Sequence, residues 1–170
     1  MWRKQMIGIA CATAAIATMA LVWHCRPMFE DYAPAFGDPA SRLAFALVWL
    51  LLPALTLLVG IIAAGRRGFY RDAIDGMRTP ANWGLELNLR YNQGTLEQLV
   101  LAAIAWSGLA VQLPLAQLYL IPMMGVLFVA GRITFLIGYA IYPIARAYGM
   151  TLTALPTILA YVWLVMCLFS

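Results

Sequence analysis

The sequence predicts an all-helical integral membrane protein that crosses the bilayer several times, and three observations carry that prediction. Of 170 residues, 64% are hydrophobic and 11% charged, with a mean hydropathy of +0.84, which leaves too little polar surface to cover a water-soluble globule. The apolar residues are gathered into runs long enough to span a bilayer, separated by short segments rich in proline, glycine and charge. No alternation of apolar and polar residues is long enough for barrel strands. The net charge of +4 does not indicate nucleic acid, because the eleven cations stand singly or in pairs beside apolar segments rather than in a basic run.

Taken in order, residues 6–23 form a first apolar segment after the basic start Trp2-Arg3-Lys4, the pattern of a signal anchor or an additional transmembrane helix. Cleavage at the small-residue run Ala33-Pro34-Ala35 is the competing expectation, which would leave four spans instead of five. Residues 26–42 read as an external loop, with Pro27, Pro34, Pro39 and Gly37 among the acids Glu30, Asp31 and Asp38. The second span covers 43–65, with Pro53 as a kink and Arg66-Arg67 where it leaves the bilayer.

The loop that follows, 66–84, carries Arg66, Arg67, Arg71 and Arg78 against Asp72 and Asp75, so the excess of cations assigns it to the cytoplasm. A third span over about 82–112 starts amphipathic, with Glu86, Arg90 and Glu97, and becomes wholly apolar from Leu99. Pro114 makes a tight external turn, 115–142 returns, Pro143 and Gly149 bracket a short connection, and 150–169 crosses last. The amino terminus then lies inside. The chain divides into an N-terminal transmembrane helix at 1–25, the external loop 26–42 and a membrane domain at 43–170.

The candidate chemistry lies on two charged faces. Arg132, Phe135, Tyr139, Tyr142 and Arg146 recur at i, i+3, i+7, i+10 and i+14, one face of a continuous helix. A guanidinium stays charged and is costly in hydrocarbon, so Arg132 is expected to face the protein interior, a carboxylate or a wet cleft. On the third span Glu86, Arg90, Gly94 and Glu97 recur at i, i+4, i+8 and i+11. The two faces are expected to meet, with Glu97 near the depth of Arg132 and Glu86 near Arg146. One outcome is a pair of buried ion pairs that lock the helices. The other is a cleft with surplus positive charge, suited to a small zwitterion with more than one carboxylate.

Glu86-x-x-x-Arg90 followed by Glu97, then Arg132-x-x-Phe135-x-x-Gly138-Tyr139 and Arg146, resembles the MAPEG family, the membrane-associated proteins of eicosanoid and glutathione metabolism. Arg66-Arg67-Gly68-Phe69 is similar to the cytoplasmic end of that family's first helix, and the resemblance covers 43–170. It implies an antiparallel four-helix bundle, preceded here by an additional transmembrane helix, that assembles as a homotrimer and binds glutathione as co-substrate between subunits. The implied activity is transfer of glutathione to a lipophilic electrophile, or reduction of a lipid hydroperoxide. A bacterial cytoplasmic membrane is the expected location, although the topology suits an internal eukaryotic membrane equally. Arg146 is then the catalytic residue that favours thiolate. Arg66, lent by the adjacent subunit, and Glu86, Arg90, Glu97, Arg132 and Tyr139 hold the peptide.

Two departures bear on that reading. Gly94 stands where many members have an asparagine, and Phe135 where a tyrosine is common. Each loss of a hydrogen bond is worth about 1 kcal/mol in binding. They motivate the alternative, a non-enzymatic lipid-binding or scaffold protein of the same fold. Membrane lipid is the partner that composition alone implies. Cys11, Cys25 and Cys167 lack the spacing of a metal or redox motif, the lone His24 lacks partners at ligand spacing, and no metal is expected. Gly60, Gly108, Gly125 and Gly131 are expected to permit close helix approach, and Trp83, Tyr70, Tyr119 and Trp106 to pack or to sit at the membrane interface.

Overall fold

The computed structural model describes residues 2–34, 37–71, 74 and 82–169. Among these residues the regular structure is all helical, with no strand, and five helices are long and apolar enough to cross a membrane. Arg78, Asp72, Asp75 and the cleavage-site Ala35 lie outside the described residues.

Helix α1 (Trp2–His24) is followed by a single turn, α2 (Pro27–Glu30), and by α3 (Pro39–Ala64). Asp38 starts α3 by accepting the Ser41 amide at 2.8 Å, and Pro39 occupies the first helical position, where its missing N–H costs nothing. Pro53 lies within α3 without ending it, although its missing N–H leaves the Trp49 carbonyl without its helical donor; the Thr56 hydroxyl donates to the Pro53 carbonyl at 2.7 Å. Helix α4 (Trp83–Gln112) is capped by the Asn82 side chain, which accepts the Leu85 amide. Its last carbonyls are met from outside: Arg42 donates to the Leu113 carbonyl, placing a cation at the negative end of the helix.

The 115–142 segment opens with a 3-10 turn (Leu115–Gln117) before α5 (Leu120–Ile141), and α6 (Arg146–Leu168) completes the chain. Two expectations are corrected here. The stretch from Arg132 to Arg146 is not one helix, because α5 ends at Ile141 and Tyr142 is extended, as the residue before a proline prefers. Gly149 is not part of the connection but lies one turn into α6, so the last span starts at Arg146.

The helices pack around three apolar clusters. The largest, at the Pro114 end, joins Ala46 and Leu50 of α3, Ala102, Ala105, Trp106 and Leu109 of α4, Ile121, Met124 and Phe128 of α5 and Ala160 of α6. Alanines on α4 leave room for Trp106, whose ring meets Phe128 edge-on at 6.3 Å. A smaller one, Leu87, Tyr91, Phe135 and Tyr139, lies toward the opposite end. Helix α1 seats on α5 and α6 through Ala15, Leu127 and Leu152, and the hydroxyls of Thr18 and Tyr148 hydrogen-bond across that seam at 2.8 Å.

Close approach is set by glycine. A Cβ at Gly149 would lie 2.3 Å from the Gly131 carbonyl oxygen and 2.4 Å from the Phe135 nitrogen, so α5 and α6 touch backbone to backbone. At Gly60 a Cβ would overlap the Asn92 side chain, and Asn88 and Asn92 both donate to the Gly60 carbonyl, at 3.2 and 3.0 Å. Gly108 and Gly131 also lie in tight contacts, whereas at Gly125 a Cβ would make only ordinary ones.

Candidate functional site

The site is built around Tyr139, near the end of α5. The direction of its ring is set by neighbours on all sides. Phe135, one turn earlier, meets it at 5.9 Å, and Trp83, the first residue of α4, meets it edge-on at 5.9 Å. The turn through Pro143 folds the start of α6 back over α5, and the Arg146 guanidinium stands over the Tyr139 ring with Cζ 4.8 Å from the centroid. Arg90 of α4 donates to the Tyr139 hydroxyl at 3.1 Å and to Glu86 at 2.6 Å. The start of α4 therefore meets both sides of the α5–α6 turn at one phenol.

These groups line an open cleft of about 660 Å3, bounded by Arg90, Phe135, Tyr139, Pro143, Ile144, Arg146, Ala147 and Met150. Its floor is aromatic, and its charge comes from two arginines, one of which is paired with a carboxylate. Arg90 and Arg146 are exposed there, while Tyr139 is buried. An exposed ion pair such as Glu86–Arg90 adds little stability. It does fix the guanidinium, with Nη2 held by Glu86 and Nη1 by the Tyr139 hydroxyl.

Of the residues singled out in the sequence, Glu86, Arg90, Tyr139 and Arg146 come together. Arg66 lies at the same end, on the 3-10 turn Gly65–Phe69, and donates to the Gly84 carbonyl at the start of α4. Glu97 and Arg132 do not meet, contrary to the expectation of facing charged stripes. Glu97 is exposed and accepts from Gln93 at 2.7 Å. Arg132 is fully buried, with Nη2 donating to the Thr153 hydroxyl of α6 and Cζ over the rings of Phe135 and Phe128, at 5.0 and 5.6 Å. The faces fail to match because the residue opposite Arg132 on α4 is Gly94; Glu97 projects from the adjoining strip of the helix.

Trp83 packs, as expected, edge-on against Tyr139, and its place beside that residue follows from Trp83, Leu87 and Arg90 at i, i+4 and i+7. One residue escaped the reading of the sequence. Thr153 was not singled out, although Gly149, Thr153 and Thr157 form a stripe of small and hydroxyl residues four apart. No family model, curated protein or solved structure matches the chain.

Proposed function

We propose that the protein is a membrane-embedded glutathione-dependent transferase or peroxidase of the MAPEG type, an antiparallel four-helix bundle formed by α3 to α6 with α1 as an additional transmembrane helix. The observation that carries this is the convergence of Arg90 and Arg146 on Tyr139 in an open cleft, with Glu86 paired to Arg90 beside it. Surplus guanidinium with one carboxylate suits a tripeptide with two carboxylates and one ammonium group. The cleft volume lies within the range of about 300–1,000 Å3 common for small-molecule sites.

In this reading Arg90, Glu86 and Tyr139 hold the peptide, and the Arg146 charge favours thiolate over thiol. Transfer forms a bond from sulfur to the electrophilic carbon of a lipophilic substrate, while the electron pair of the broken bond leaves with the departing group or takes up a proton. With a hydroperoxide, the sulfur takes the terminal oxygen, the alcohol departs, and a second glutathione completes the disulfide and water. Arg66 and Glu97 complete the site in a homotrimer, Arg66 reaching the cleft of an adjacent subunit, whereas Arg132, fully buried behind Phe135, supports the site from within. The glutathione cleft faces the cytoplasm of a bacterial inner membrane, with the amino terminus inside.

Titration calorimetry of the detergent-purified protein tests this. Glutathione is expected to bind, about tenfold more weakly after Arg90→Ala, a loss of about 1.4 kcal/mol. Arg146→Ala is expected to raise the pKa of the bound thiol. Absence of glutathione binding to the unaltered protein overturns the proposal. A second reading, a lipid-binding scaffold, is favoured by an apolar cleft of about 300 Å3 at the Pro114 end, where Met19 and Trp23 of α1 meet Leu109, Leu127 and Trp163.

A further inference from the structure

Arg132 is buried on the far side of Phe135 from the cleft, among α4, α5 and α6, with 0% of its surface exposed. A guanidinium cannot shed its charge by titration, and an uncompensated ion in the interior costs several kcal/mol. No carboxylate of the described residues offsets it. Glu97 turns outward to Gln93, and Glu86 is taken by Arg90. The neutral Thr153 hydroxyl serves Nη2 alone and is itself committed to the Gly149 and Met150 carbonyls. Nε and Nη1 have no hydrogen-bond partner among the described residues.

The space beside the orphaned Nη1 belongs to Gly94. A Cβ built there would lie 3.9 Å from Nη1 and within 4 Å of nothing else, so the glycine leaves a gap in α4 next to an unpaired donor. Gly94 is only half-buried, and Arg90, Gln93 and Glu97 beside it are exposed, so the gap borders the outer face of α4. The aromatic rings of Phe128 and Phe135 occupy the faces of the guanidinium, leaving its edge as the accessible donor surface.

We propose that Arg132 and the gap at Gly94 form a buried binding site for one small monovalent anion, a halide or the carboxylate of a short acid, entering from the outer face of α4. The anion accepts from Nη1 and neutralises the charge that the chain leaves uncompensated. A water molecule would fill the donor without offsetting the charge. Because Phe135 has Arg132 on one side and lines the cleft on the other, occupancy of this site also steadies the floor beneath Tyr139. The inference does not depend on glutathione being the ligand of the cleft.

The test is the melting temperature of the detergent-purified full chain, titrated with sodium chloride and, separately, sodium acetate. Bulky sodium gluconate holds the ionic strength constant. A ligand that binds only the folded state raises stability in a saturable way. A saturable rise of several degrees is expected, with the chloride and acetate arms distinguishing halide from carboxylate. Gly94→Asp, which supplies a carboxylate from the chain itself, is expected to melt higher than the unaltered protein in gluconate and to lose the response to added anion. Arg132→Gln is expected to lose the response without that gain. Flat titrations of the unaltered protein overturn the proposal, as does an undiminished response in either variant.

Discussion

Arg132 and Arg146 flank the same pair of rings, yet they have opposite surroundings. Arg146 is exposed at the start of α6, over Tyr139, beside an open cleft. Arg132 lies ten residues back along α5 from the turn, fully buried, short of partners and bordering an apolar cleft between α3 and α5. The contrast teaches that position relative to a chain break, more than residue type, decides what an arginine can do here. The turn through Pro143 turns Arg146 out and over the ring. The continuous helix carries Arg132 inward, where its charge becomes a demand on whatever lies opposite.

The largest expected effect comes from abolishing the contrast altogether. Gly149→Ala pushes a methyl group into the α5 backbone, which has no flexible side chain to yield, and is expected to cost about 3 kcal/mol or more, read by denaturant unfolding in detergent. It also displaces the start of α6, so ligand binding in the cleft falls with stability. An unchanged unfolding midpoint would mean that α5 and α6 do not cross at this glycine pair.

Thr153→Val separates the two arginines. It keeps the shape of the side chain and removes the one neutral acceptor of Arg132, with an expected loss of about 2 kcal/mol in stability. Thr153→Ser, which retains the hydroxyl, is expected to recover most of it, whereas equal losses in both would assign the effect to packing. Tyr139→Phe acts on the opposite side and is smaller. The ring beneath Arg146 remains while the acceptor for Arg90 is lost, so binding of a cleft ligand is expected to weaken about fivefold, or about 1 kcal/mol, with little change in stability. A loss as large as that of Tyr139→Leu would place the whole contribution in the hydroxyl.

Much of this architecture is legible in one dimension. Apolar runs of bilayer length mark the spanning helices, because hydrocarbon tolerates few unsatisfied or charged groups. Asn82 marks the start of α4 by the capping chemistry of its side chain, whereas the expected external loop to residue 42 is corrected at its end, because α3 already starts at Pro39, capped by Asp38. The period of an α-helix correctly grouped Arg132, Phe135 and Tyr139, and likewise Glu86 and Arg90. It failed at Tyr142, since a face can be extrapolated only while the helix continues, and Pro143 ends that continuity.

Composition and periodicity thus specify which residues share a helix and a face, because those follow from local backbone geometry. Which face turns inward, and what stands opposite it, was decided by the tertiary packing. The backbone contact of Gly131 and Gly149 draws α6 close enough for Thr153 to reach Arg132. The absent side chain of Gly94, not the carboxylate of Glu97, ends up against the guanidinium. Such pairings depend on the distance and rotation between helices, quantities set by the small residues of both partners at once and therefore invisible in either helix alone.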